Sequence, residues 1–304
     1  MTAFTTTSVR QRQLPVDLRT SVGHCRELVR VSGSSFYQGM RLIPEPLRTD
    51  TFILYSWLRH ADDLADNTST DLAEKGRQLC WFSEYTCRAY EGHVPNVDAP
   101  SMAHTRPLWA AFTDLVQRRT LPLAPLQASI RGQFADLNTS SYASFEALRE
   151  YCYNVASTVG LLCIELWGYE GGEPTRELAI KRGLAFQLTN IVRDVREDAL
   201  VGRVYLPACF TDGGATPADV LAGRPNVLRG IDRTLEQANA FYTASAPLDG
   251  LVSAQARRCL WAMTERYGGL LRKIMVNPSL VLQPQRVRLN SIEKFAILVK
   301  AMLR

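Results

Sequence analysis

Residues 51–66, TFILYSWLRHADDLAD, place three carboxylates on a segment that is otherwise rich in apolar residues. The segment has no Pro or Gly, and its apolar residues recur at helical spacing, so it is predicted to be helical. Asp62 and Asp66 are four residues apart, with Arg59 one turn before Asp62 and Tyr55 one turn before Arg59. These four side chains share one stripe. Phe52, Leu54, Trp57, Leu58, Leu64 and Ala65 surround the stripe, so much of this helix is predicted to be buried. Carboxylates on a buried helix are costly unless they are paired or bind a metal. A chain with such a helix needs a polar place inside its fold.

A second stretch repeats the arrangement. Residues 185–207, AFQLTNIVRDVREDALVGRVYLP, open with a Pro- and Gly-free run whose Phe186, Leu188, Ile191, Val192 and Val195 mark a helix ending near Gly202. Gln187, Asn190, Asp194 and Asp198 are spaced by three, four and four residues, which puts two amides and two carboxylates in one row. Carboxylate and amide oxygens are hard ligands suited to Mg²⁺, an ion that keeps several waters and bridges to phosphate. A lone D-x-x-x-D on a helix is more often a solvated acidic face. Here the amides extend the row, Arg193 and Arg196 flank it, and a matching row lies far off in the chain. The pair implies acidic clusters facing each other across a cavity.

The two stretches resemble the aspartate-rich motifs of the squalene/phytoene synthase family, the head-to-head prenyl synthases. Residues 151–161, YCYNVASTVGL, and 32–44, SGSSFYQGMRLIP, resemble two further blocks of that family in the same order. The match runs from about residue 20 to 207, and the last third matches loosely. The resemblance implies an all-α, isoprenoid-synthase helical bundle around a central cavity. It implies two or three Mg²⁺ ions held by Asp62, Asp66, Asn190, Asp194 and Asp198. It places Ser32, Ser35, Phe36, Arg59, Gln187, Arg193, Arg203, Tyr205 and Tyr267 against substrate. It puts Tyr151, with Tyr55 and Arg59, at the chemistry, and Tyr151 between the metal clusters and a hydrocarbon cavity. One of Arg286 and Arg288 resembles a late position that contacts diphosphate.

The implied reaction condenses two prenyl diphosphates through a cyclopropylcarbinyl diphosphate. Two farnesyl diphosphates, giving presqualene diphosphate or a squalene-type C30 product, is the first expectation; two geranylgeranyl diphosphates, giving phytoene, is the alternative. NADPH stays open as a second cofactor: the chain lacks G-x-G-x-x-G, but relatives that use NADPH lack it too. Two readings of other classes are a terpene cyclase and a non-catalytic assembly factor on the same fold. Four retained aspartates weigh against the factor, and the form of the second motif against the cyclase.

Other features set bounds. The 304 residues show no linker or repeat, so one domain is expected, with residues 1–15 disordered. A net charge of +5, with dispersed basic residues, argues against a nucleic-acid face and suits anionic substrates. No signal peptide and no apolar run of spanning length are evident. The seven scattered cysteines and four isolated histidines form no metal pattern; with reduced thiols, the expected setting is the cytoplasm.

Further helices are predicted near 16–31, 71–90, 107–117, 125–137, 145–167, 228–246 and 253–275. Asp136 reads as a surface residue, with an extra cavity residue as the alternative, and His60 as a core or rim histidine. Ala156, Ser157 and Gly160 leave room either for a neighbouring helix or for a prenyl tail. Residues 202–207 read as a flap over the metal cluster. Residues 291–304 form a basic amphipathic helix, expected to cap the core, with peripheral contact at the inner membrane face as the alternative. Oligomeric state is left open.

Overall fold

The computed structural model describes residues 16–32, 35–94 and 103–304. The described residues are helical, with no strand among them. The expected disorder of residues 1–15 falls outside the described residues, as does the side chain of Ser35.

The chain runs through α1 (Val16–Val31), α2 (Ser35–Met40), α3 (Leu47–Asp66), α4 (Leu72–Tyr90), α5 (Arg106–Arg118) and α6 (Leu123–Asn138). Next come α7 (Phe145–Cys152), a π-turn (Tyr153–Ser157), α8 (Thr158–Trp167), α9 (Glu173–Arg193) and α10 (Val195–Leu200). The chain ends with α11 (Pro217–Leu221), α12 (Pro225–Ala244), α13 (Leu248–Leu251), α14 (Ala254–Val276) and α15 (Ser291–Met302).

Sequence signals explain several of these boundaries. Asp71 caps α4 by accepting from the Glu74 backbone N–H at 2.8 Å. Asn290 and Glu293 form a reciprocal capping box at the start of α15. α3 is fixed at its first turn by Asp50, 2% exposed, which pairs with Arg118 at 2.9 Å and Arg119 at 2.8 Å. Further along α3, Trp57 donates to Thr86 at 3.1 Å, and Trp167 of α8 donates to Thr51 at 3.0 Å.

α9 runs down the bundle against α8, α12 and α14. Two packed clusters meet along it, with Ala179 in the first, Leu184 in the second, and Ile180 touching both. Arg182, 3% exposed, ties α9 to its neighbours. Its guanidinium donates to Ser245 Oγ at 2.9 Å, to the Thr264 hydroxyl, and to Asp249 at 3.0 Å.

Four expectations are corrected. The helix expected over 145–167 is interrupted by the π-turn. Gly132 of α6 and Gly183 of α9 press on that turn: a Cβ at Gly183 would lie 2.4 Å from Ser157 Cα, and one at Gly132 would lie 2.6 Å from Val155 Cγ1. Close approach from both sides widens the turn, and π-turns of this kind are frequent at functional sites. The helix expected to run to near Gly202 begins at Glu173, after Gly172 and with Pro174 in its first turn, and is broken at Asp194. Residues 202–207 are not a loose flap. Val204 N donates to Ser140 O at 2.8 Å and Ala208 N to Tyr142 O at 2.8 Å. Val204, Tyr205 and Leu206 are all buried. Finally, α15 caps little: Ala301 is its single buried residue. No helix among the described residues is long and apolar enough to cross a membrane.

Candidate functional site

A cavity of about 230 Å³ lies between α3, α9, α14 and the π-turn–α8 segment. α9 contributes Ala179, Arg182, Gly183, Phe186, Gln187 and Asn190, a single helical face. The opposite wall carries Val155, Ala156, Val159, Gly160 and Cys163. Gly160 lines the cavity and also lets α9 approach, since a Cβ there would lie 3.0 Å from the Ala179 carbonyl. α3 adds Tyr55, Leu58, Arg59 and Asp62.

The aromatic residues form an arc along this wall. Phe36 lies 6.1 Å from Tyr55 and 5.6 Å from Tyr267, measured between ring centroids. Phe186 stacks on Tyr267 at 4.5 Å and 13°. Aromatic rings around an apolar space suit a cationic guest.

One end of the cavity is acidic. The half-buried Asp62 accepts from Gln133 Nε2 at 2.7 Å. Burial pushes its carboxyl up to about 7, against the pull of Arg59, with Asp66 and Asp63 adding to the push. Asp66 is exposed at the end of α3. Arg59 pairs with Asp63, at 2.6 Å, rather than with the row it was expected to serve.

On the other row, burial, then repulsion from Asp194, pushes Asp198 up to about 7, and Arg203 opposes the shift. Asp194 itself is gripped by two guanidiniums. Arg193 pairs with it from the preceding position, and Arg286 reaches it with Nε at 2.7 Å and Nη2 at 2.5 Å. Of the two late arginines, Arg286 pairs with Asp194, while Arg288 lines an adjoining basic recess shared with Arg193, Arg266, Arg286 and Lys294.

Asp136 joins the two rows. It reads as a surface residue in the sequence, but the structure makes it half-buried. Tyr205 donates to its Oδ1 at 3.0 Å, and Arg203 donates to its backbone carbonyl at 3.1 Å. Burial raises its carboxyl above the usual range, while hydrogen bonds from Tyr151 and Tyr205 pull it back. Asp66 from one row raises Asp136, and Asp136 raises Asp198 of the other. Gln133 has no signal in the sequence, and for Asp136 the surface reading outweighs the cavity one, because the partners of both are distant in the chain.

Tyr151 does not line the cavity. It is 7% exposed and stacks on Tyr205 at 5.5 Å and 10°, with Tyr142 at 5.4 Å. Burial, then the Asp136 charge, raises its phenol well above the ordinary value. Tyr205 belongs to the same stack. Ser32 also stands off the cavity wall and donates to the Val29 carbonyl at 2.9 Å. His60 lines a separate recess, where burial pushes its ring down to about 4.

No group of three His, Cys, Asp or Glu side chains among the described residues lies close enough to hold a metal as it stands. The donor set nevertheless fits a hard divalent cation. Asn190 Oδ1 is buried and has no hydrogen-bond partner, and its Nδ2 donates to Gln187 at 3.4 Å. Two carboxyls, Asp62 and Asp198, are held near neutrality by burial and like charge. A cation at these oxygens would satisfy the orphaned amide and relieve the repulsion.

A family model described as squalene/phytoene synthase matches residues 29–293. The phytoene synthase of Arthrospira platensis is 31% identical over 303 residues, covering 92% of each chain. A maize protein named phytoene synthase 3, chloroplastic, is 31% identical over 283 residues, covering 89% of this chain; that match spans 63% of the longer maize protein. A crystal structure described as a dehydrosqualene synthase in complex with ligand superposes with a TM-score of 0.80 at 24% identity, covering 94% of this chain and 97% of that one.

Proposed function

Because the chain belongs to the squalene/phytoene synthase family, we propose that it condenses two geranylgeranyl diphosphates head to head, giving a C40 product of the phytoene type. The single observation that supports the reaction class is that one apolar cavity is lined both by Asp62 of the α3 row and by Gln187 and Asn190 of the α9–α10 row. The choice of the longer substrate rests on the relatives, which are named phytoene synthases. The sequence alone favoured two farnesyl diphosphates, and the relatives' names support the alternative better.

The proposed roles follow from charge and exposure. Asp62, Asp66, Asn190, Asp194 and Asp198 would hold Mg²⁺. When bound, the metal neutralises charge that develops on the leaving diphosphate. Arg59, Arg193, Arg203 and Arg286 supply charge-assisted hydrogen bonds to the same group. Arg193 and Arg286 are already at Asp194, so a diphosphate there would meet both.

Loss of diphosphate leaves an allylic cation. Phe36, Tyr55, Phe186 and Tyr267 line the space it would occupy, and the aliphatic wall limits its contact with water. The 2,3 alkene of the second prenyl diphosphate supplies the electron pair for the new carbon–carbon bond. Closure of the cyclopropane releases one proton and gives a cyclopropylcarbinyl diphosphate; departure of its diphosphate, rearrangement and loss of a second proton then give the C40 hydrocarbon. Tyr151 and Tyr205 act by holding Asp136 between the rows, which makes them positioning residues.

The test is mass analysis of organic extracts after incubation with each prenyl diphosphate, with and without Mg²⁺ and NADPH. A C40 hydrocarbon from geranylgeranyl diphosphate is expected. A C30 product made only from farnesyl diphosphate would overturn the substrate assignment, and no hydrocarbon from either would overturn the reaction.

A further inference from the structure

Three of the four histidines in the chain meet at one place. His24 of α1, His60 of α3 and His104 of the 3₁₀ turn Ala103–Thr105 line a recess of about 420 Å³. The recess shares no lining residue with the main cavity. The three positions are far apart in the chain, so no spacing in the sequence marks them.

Imidazole nitrogens suit Zn²⁺ and its neighbours in the transition series, where carboxylate and amide oxygens suit Mg²⁺. The chemistry of the recess is of the first kind. His60 Nε2 is buried and has no hydrogen-bond partner, which leaves a polar atom that an ion would satisfy. Burial, then the neighbouring His104, lowers the His24 and His60 rings, so both are neutral at neutral pH, the form that ligates. No Lys or Arg lines the recess to repel a cation. Asp63 is its one lining carboxylate and is already paired with Arg59 at 2.6 Å. The ligands are therefore the three imidazoles, with water in the fourth position.

The distances show what has to move. The His60 and His104 rings stand edge to face, with centroids 6.4 Å apart at 76°. With Zn–N bonds of about 2.0–2.1 Å, two imidazoles on one tetrahedral ion have centroids about 5 Å apart. The pair is open by roughly 1 Å on that measure, which agrees with the lack of a ready-made metal group among the described residues. His60 packs against Phe82, with centroids 5.6 Å apart, whereas His104 is exposed on a three-residue turn. Turning the His104 side chain closes the gap.

We propose that this recess is a transition-metal site in which His24, His60 and His104 bind Zn²⁺. The ion ties α1 and α3 to the turn ahead of α5. The site uses no residue of the acidic rows and does not depend on the proposed reaction.

Equilibrium dialysis of the purified full chain against Zn²⁺, with Mg²⁺ in excess to occupy the acidic rows, tests the proposal. One Zn²⁺ per chain should be retained. His104→Gln and His60→Gln should each weaken retention by about tenfold or more. His104 is exposed, so its variant should keep the metal-free melting curve of the wild type. Zn²⁺ should then raise the melting temperature of the wild type and leave that of His104→Gln in place. His93→Gln, which changes the fourth histidine, and Asp194→Ala should retain Zn²⁺ as the wild type does. Absence of retained Zn²⁺, or retention that His104→Gln leaves unchanged, overturns the proposal. So does retention that Asp194→Ala abolishes, because the ion would then sit in the acidic rows.

Discussion

The Tyr205 hydroxyl donates to Asp136 Oδ1 at 3.0 Å, which links the segment after the second acidic row to the helix that faces the first. Tyr205→Phe removes that donor and leaves a half-buried carboxylate short of one partner. The expected loss is about 1–2 kcal/mol of stability, read from denaturant unfolding. Turnover should fall with it, because Asp136 loses its position between the rows. Unchanged stability and rate would remove Asp136 from the account.

Replacing Asp62 or Asp194 by Ala should lower the rate by about a hundredfold or more. The fold should survive, because Asp62→Ala removes a carboxylate from a region of mutual repulsion and Asp194→Ala leaves Arg193 and Arg286 partly open to water. For Asp194→Ala, the freed Arg193 and Arg286 stay close to where the diphosphate is proposed to bind. Substrate binding should therefore weaken less than turnover. Near-wild-type rates in a folded variant would mean the rows are not the site.

Asp62 and Asp198 set a pH dependence. Both are raised from 3.8 to about 7 in the folded state. For an acid with a raised folded value, stability is full below the unfolded value and is lost as pH rises through the folded one. The metal-free protein should therefore melt at progressively lower temperature as pH rises from about 4 to about 7, apart from other titrations. Mg²⁺ favours the ionised carboxylates, so the melting temperature it adds should grow over the same interval. A Mg²⁺ effect that is flat across that range would contradict metal binding at these carboxyls.

Gly183→Ala tests the packing that shapes the cavity. The added Cβ would sit 2.4 Å from Ser157 Cα, which is backbone and cannot swing aside. The expected cost is about 1–3 kcal/mol. An unchanged unfolding curve would mean that α9 can slide away from the π-turn.

Much of this arrangement was legible in the sequence because it depends on local pattern. α3, α4, α12 and α14 follow from apolar spacing and terminal residues, and the two acidic rows follow from three- and four-residue intervals. The rest depends on contacts distant in the chain. The π-turn at Tyr153–Ser157 comes from Gly132 and Gly183, whose sequence neighbours do not point to one another. Asp136 has no local mark, since Tyr151 and Tyr205 reach it only in the folded chain. Arg182 looks like any helix arginine until Asp249 and Ser245 close around it. The bend at Asp194 is associated with Arg286, which lies in the loosely matching last third.

The most direct measurement of the central claim is stoichiometry. Purified protein is incubated with Mg²⁺ and radiolabelled geranylgeranyl diphosphate, and substrate consumed, diphosphate released and apolar product formed are counted together. The account predicts two prenyl diphosphates consumed for each product molecule, with the metal required. One substrate consumed per product, or the same turnover in excess chelator, would contradict it.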